Sequence, residues 1–141
     1  MDTRNRYSTE RIGEPQTVLV VDDDAMIRSF EVLLLSSQGY NVLQAGSGAE
    51  ALRLADTATV HLLVTDFLMP ELDGLELTRI FRTVHPETPV LMVSGSLPPT
   101  DDRIQNLGHF GFLPKPFKFD ELLRKVRTLI DAETPFPRRA A

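Results

Sequence analysis

The sequence predicts a doubly wound α/β sandwich, a five-stranded parallel sheet with helices on both faces, and three observations predict it. Short apolar runs of strand length recur at 18–21, 40–45, 61–65, 89–93 and 110–113, each followed by a segment with apolar residues at helical spacing. Two of the runs, Leu62-Leu63-Val64 and Val90-Leu91-Met92-Val93, are continuously apolar, the pattern of strands covered on both faces. Regular β-α alternation then demands parallel pairing with right-handed crossover helices.

Residues 1–15 are polar, mix both charge signs and lack periodicity, which predicts a flexible lead-in outside the fold. The domain is expected over 16–132, with a tail over 133–141. The first strand ends in Asp22-Asp23-Asp24, and a helix over 25–38 carries Ile27, Phe30, Leu33 and Leu34 before Gly39 closes it. After the second strand, Ser47 is the expected N-cap of a helix over 48–56 with Ala51, Leu52 and Ala55 inward. The third strand delivers Asp66 to its end, where Pro70 and Gly74 stop any regular continuation; Leu75, Ile80, Phe81 and Val84 mark the following helix, which His85-Pro86 terminates. Ser94-Gly95-Ser96 ends the fourth strand, and the helix expected from Pro98-Pro99-Thr100 to about 107 is the weakest of the five. Pro114-Lys115-Pro116 ends the fifth, and Phe119, Leu122, Leu123, Val126, Leu129 and Ile130 line the last helix.

The chain has 141 residues, 42% of them hydrophobic, enough for one domain with a real core. A formal net charge of -5 offers no general attraction to nucleic acid or an anionic membrane, so neither is expected as a partner. Without cysteine, disulfides, thiol nucleophiles and cysteine zinc sites are excluded. No run approaches the roughly 18 apolar residues of a spanning helix, and the N-terminus has no signal-peptide core, which predicts a soluble, cytoplasmic protein.

In an open parallel sheet, ligands bind at the carboxyl ends of the strands. Asp22 and Asp23 follow the first strand, Asp66 ends the third, Ser94 the fourth, and Lys115 follows the fifth. Clustered carboxylates repel unless a cation joins them, and a hard divalent ion with oxygen ligands, Mg2+ before zinc, suits this set. A carboxylate beside such an ion can attack a phosphoryl group while a lysine and a hydroxyl meet the transferred oxygens. The expected site is a phosphoryl acceptor.

The motifs Val-Leu-Val-Val-Asp-Asp, Thr-Asp-Phe-Leu-Met-Pro-Glu-Leu-Asp-Gly, Leu-Met-Val-Ser-Gly and Gly-Phe-Leu-Pro-Lys-Pro-Phe, in this order over residues 17–131, resemble the receiver domain of two-component response regulators. The resemblance implies a flavodoxin-like (βα)5 fold with strand order 2-1-3-4-5. It implies Asp66 as the phosphorylated aspartate, Asp23 as a direct Mg2+ ligand, Asp22 as a ligand through water, and Leu68 as a ligand through its backbone carbonyl. Ser94 matches the switch hydroxyl, Lys115 the family lysine and Phe112 the aromatic switch. The implied partners are a sensor histidine kinase or histidine phosphotransfer protein and a downstream protein target, with a phosphorylation-linked homodimer left open. No output enzyme is expected, since only about ten residues follow the last helix; a stand-alone regulator, a phosphorelay intermediate and a hybrid-kinase receiver all fit. Leu68 and Ser96 are less polar or smaller than residues linked in the family to fast self-dephosphorylation, which implies a longer-lived phosphorylated state than in a fast chemotaxis receiver.

Blander and rival readings remain. Asp22-Asp23-Asp24 suits a helix cap. Lys115 could be a solvated charge, and His61, His85 and His109 lack metal spacing and suit ordinary surface or edge roles. Gly46-Ser47-Gly48-Ala49-Glu50-Ala51 follows a strand, opens a helix and matches the dinucleotide fingerprint, which keeps a small nucleotide-binding oxidoreductase as an alternative. A degenerate receiver acting by phosphorylation-independent contacts is another.

Overall fold

The computed structural model describes residues 14–96 and 100–133. Five strands alternate with five helices: β1 (Thr17–Val21), α1 (Ala25–Ser37), β2 (Asn41–Ala45), α2 (Gly48–Thr57), β3 (Leu62–Asp66), α3 (Gly74–Val84), β4 (Val90–Ser94), α4 (Asp102–Gln105), β5 (Phe110–Pro114) and α5 (Phe119–Glu133). The strands form one sheet in the order β2-β1-β3-β4-β5, every neighbouring pair parallel. All five carboxyl ends therefore share one edge.

Strand side chains alternate between faces, and the core divides accordingly. Val18, Val20, Leu62, Val64, Leu91 and Val93 pack with Leu35 of α1 and Leu122, Val126 and Ile130 of α5. On the other face, Leu19, Val21, Leu63 and Val90 meet Ala51 and Ala55 of α2 and Leu77 and Phe81 of α3. Met92 packs there with Leu75 and Ile104 under α4. Because both faces are covered, the three central strands are apolar at nearly every position, whereas Asn41 and Gln44 of the edge strand β2 are exposed.

Helix starts follow cap chemistry. Asp24, Ser47, Asp73 and Asp101 each accept a hydrogen bond from a backbone N–H of the first turn of α1, α2, α3 and α4. Gly39, with φ of 94°, takes the left-handed conformation just after α1. Among the described residues, no helix is long and apolar enough to cross a membrane.

Three details differ from the sequence-based expectation. In α1, Phe30 and Leu33 are exposed, while Glu31 and Leu35 are buried. The line 27-31-35, spaced by four, points at the sheet, and the line 26-30-33 points outward; the buried line carries an acid at its centre and the exposed one is wholly apolar, which hides the core side in the sequence. In α3, Ile80 and Val84 are exposed, and Leu77 and Thr78 are buried instead, the Thr78 hydroxyl donating to the Gly74 carbonyl at 2.8 Å. Helix α4 is only four residues long, set by its Asp101 cap. Its expected start at Pro98-Pro99, the lead-in before Glu14 and the tail after Glu133 lie outside the described residues.

Candidate functional site

The three acids after β1 divide between roles. Asp24 is the cap of α1, its Oδ1 accepting from the N–H groups of Met26 (3.0 Å) and Ile27 (3.2 Å). Asp22 is buried, its Oδ1 accepting from the Asp24 N–H at 2.9 Å. Asp23 is exposed at the mouth of the site. Carboxylate oxygens of Asp22, Asp23 and Asp66 all lie within 4.8 Å of one another. Capping therefore accounts for one acid of the run and leaves the other two facing Asp66.

Asp66 ends β3 half-buried, and its Oδ1 accepts from the Phe67 N–H at 2.9 Å. The loop then folds back so closely that the Gly74 N–H donates to the Phe67 carbonyl at 2.8 Å. A Cβ on Gly74 would overlap the Asp66 carbonyl oxygen, so glycine is demanded here by approach and not by φ. Gly74→Ala is expected to destabilise the fold by about 2 kcal/mol, in the range of overpacked sites, measured by urea unfolding. Across the sheet edge, Lys115 Nζ lies 3.5 Å from both Asp22 Oδ2 and Asp66 Oδ1. The Lys115 N–H donates to the Ser94 carbonyl at 2.9 Å, which ties the lysine to the end of β4.

An all-oxygen carboxylate cluster with an adjacent lysine fits a hard divalent cation and a phosphoryl group. The response regulator receiver domain family matches residues 18–127. The chain belongs to that family. The receiver is 38% identical over 122 residues to the sensor kinase CckA of Brucella abortus, covering 83% of this chain and 13% of that protein. It thus spans a small part of this curated relative's length. Among solved structures it is similar to the chemotaxis protein CheY4 of Vibrio cholerae, with 31% identity, a TM-score of 0.77 and coverage of 82% of this chain and 99% of the other. It is also similar to the response regulator TrrA of Thermotoga maritima in complex with Mg2+-BeF, with 30% identity, a TM-score of 0.73 and coverage of 81% and 98%. The observed strand order is the one the resemblance implied.

Burial, opposed by Lys115, holds the Asp66 carboxyl of the receiver above the usual range, and Asp22 adds to the rise. Burial pulls the Lys115 ammonium the other way, but the attraction of Asp22, Asp66 and Glu31 outweighs it and leaves its pKa raised. Lys115 thus remains cationic, and its 3.5 Å contacts to Asp22 and Asp66 take the place of the bland reading of a solvated charge.

The other expected residues are placed as follows. Ser94 is buried at the end of β4, its Oγ accepting from the Ser96 N–H at 3.1 Å. Phe112 is half-buried on β5, opposite Met92, in the cluster beneath α4. Leu68 follows Asp66 by two residues with its side chain exposed. His61, His85 and His109 stay apart from the site: His61 Nδ1 accepts from the Thr17 N–H at 2.9 Å, His85 stacks on Phe81 at 4.7 Å, and His109 lies near Glu87.

The glycine fingerprint is filled by the receiver itself. Ser47 Oγ accepts from the Glu50 N–H at 3.2 Å, and Glu50 Oε1 accepts from the Gly46 N–H at 2.9 Å, so the chain's own side chains bond the turn where a pyrophosphate would sit. Gly48 is small because a Cβ there would come within 2.6 Å of Leu72 Cδ2. The dinucleotide alternative loses its site.

Two residues near the site escaped sequence reasoning. Arg28 Nη1 donates to the Asp22 carbonyl at 2.7 Å and its Nε to Gln44 Oε1 at 3.0 Å, bracing the acidic turn against β2. Glu31, only 3% exposed, is held up to about pKa 8 by burial first and by Asp22 next, with Lys115 opposing and Asp66 adding. A charge midway between Ile27 and Leu35 at four-residue spacing was the available signal.

Proposed function

We propose that this receiver accepts a phosphoryl group on Asp66 from a phosphohistidine of a sensor histidine kinase or histidine phosphotransfer protein and thereby switches its surface toward a downstream protein target. The observation that carries the reading is Lys115 Nζ held 3.5 Å from both Asp22 and Asp66 beside carboxylate oxygens within 4.8 Å of one another. Asp23 and Asp66 would hold Mg2+ directly, Asp22 through water, with the Leu68 carbonyl as a further donor. Bound there, the ion supplies neutralising charge for the phosphoryl oxygens. The Mg2+-BeF complex of TrrA supports the fit.

Among the described residues, the Phe67 N–H and Lys115 Nζ both address Oδ1 of Asp66, which leaves Oδ2 as the nucleophile. As its P–O bond forms, the P–N bond to the imidazole breaks and the ring leaves with the bonding pair. Lys115 follows the new negative charge, and the Ser94 hydroxyl donates to a transferred oxygen. Since Lys115 and Ser94 are joined through the backbone, both can shift together, and Phe112, opposite Met92 on the next strand, reorients with them. The face formed by α4, β5 and α5 then changes its partner affinity as a two-state population shift. The reading places the chain in cytoplasmic signalling, with no output enzyme of its own within these residues.

Intact-mass analysis after incubation with acetyl phosphate tests the proposal. One phosphate adduct is expected with Mg2+ and none with EDTA, and fragmentation should map it to Asp66. An adduct that forms equally well in EDTA, or maps elsewhere, overturns it. After removal of the donor, the adduct should decay more slowly than on a fast chemotaxis receiver, given Leu68 and Ser96 beside the site.

A further inference from the structure

Beside the acceptor site, between α1 and the start of α5, lies a cavity of about 390 Å3 that phosphoryl transfer does not use. Its walls are Ile27, Phe30, Leu34, Phe117, Phe119 and Leu122, almost wholly apolar. Two polar side chains enter this lining, Glu31 and Lys115, and Lys115 is already engaged with Asp22 and Asp66. The Glu31 carboxyl is different. The residue is 97% buried, it borders the cavity, and it is in no ion pair with Lys115.

An acid on the core line of a helix is costly, since burial takes away most of the hydration its charged form needs. An apolar residue on the 27-31-35 line would serve the fold better. The cavity has the size of small-molecule sites, and it has their composition too, apolar walls with one well-placed polar group. Phe30 and Phe119, with ring centroids 6.1 Å apart, flank it and are both more than half exposed, so the mouth is open.

We propose that this cavity binds a small organic amine with an apolar, aromatic-sized body, its ammonium group paired with Glu31 and its body held between α1 and the Phe117–Phe119 segment. Charge selects the class. A carboxylate at the floor of an apolar pocket favours a cation and disfavours an anion, and Lys115 beside it repels a second positive group, which limits the ligand to one. Glu31 is protonated at neutral pH in the free protein because burial raises its pKa, so pairing with an ammonium ion releases that proton to solvent while the ligand keeps its own.

Phenethylamine and phenethyl alcohol, alike in size and different in charge, are the probes. Titration of the full chain, followed by amide and methyl chemical shifts, is expected to move Ile27, Leu34 and Leu122 with the amine, and Glu31→Gln should weaken amine binding at least about tenfold. The alcohol should bind wild type and Glu31→Gln alike. Calorimetry of wild type in buffers of different ionisation enthalpy should register proton release at neutral pH, an independent readout that needs no variant. Equal amine affinity in the two proteins, no proton release, or shifts confined to other parts of the chain would each overturn the proposal. Phosphate uptake at Asp66 is read separately, so loss of one inference leaves the other standing.

Discussion

Asp66→Asn is expected to take up no phosphoryl group, with the adduct falling below detection under conditions that label the wild type fully. The change is nearly isosteric. Its amide oxygen can still accept from the Phe67 N–H, but the amide nitrogen replaces the second carboxylate oxygen and is no nucleophile. Stability should not fall with it. Burial raises the pKa of Asp66, so the ionised form is the disfavoured one in the folded protein, and this group's contribution is lost as pH rises through its raised folded value. A neutral asparagine removes that loss, although Lys115 gives up one of its two carboxylate contacts. Phosphorylation and thermal unfolding measured together separate the cases. An unlabelled variant that melts at or above the wild-type temperature assigns the chemistry to Asp66, whereas full labelling of the variant would sink the assignment.

Glu31→Gln should change the pH dependence of stability more than any other single substitution. The Glu31 carboxyl rises from 4.5 to about 8 on folding, with burial as the main cause. Its contribution is fully present below pH 4.5 and is lost as pH rises through about 8, because the folded state holds a proton that the unfolded chain releases. At about 1.4 kcal/mol per unit, the loss amounts to a few kcal/mol. Urea unfolding in EDTA is expected to show wild type and Glu31→Gln close together at pH 5, with the variant ahead by a few kcal/mol at pH 9. A constant gap across that range would mean that the carboxyl is solvated in the folded protein. The same substitution leaves Asp22, Asp23, Asp66 and Lys115 in place, so Mg2+-dependent labelling should persist.

Most of the fold was legible in the sequence because its determinants are local. The five strands, four of the five helices and the caps Asp24 and Ser47 rest on periodicity and on side chains that bond within a few residues of themselves. The candidate site was legible for a related reason. In a parallel sheet the residue following each strand reaches one edge whatever the rest of the packing, so Asp22, Asp23, Asp66, Ser94 and Lys115 could be grouped once the strands were found.

Tertiary structure decided what depended on the orientation of an element or on contacts between distant residues. Which of two lines on α1 faces the sheet, and that the buried one carries Glu31, followed only from how the helix sits against β1 and α5. The close approach of Gly74 to Asp66, the brace from Arg28 to Gln44 and the filling of the glycine fingerprint by Glu50 depend likewise on distances that spacing does not encode. Composition and periodicity by themselves determined the α/β class and delivered the acids to one edge, since both need only the local geometry of strands and turns. The cavity beside Lys115 and the buried acid in its wall exist only where α1, the Lys115–Phe117 segment and α5 converge, because a void and a desolvated acid are properties of packed surfaces and not of any one segment.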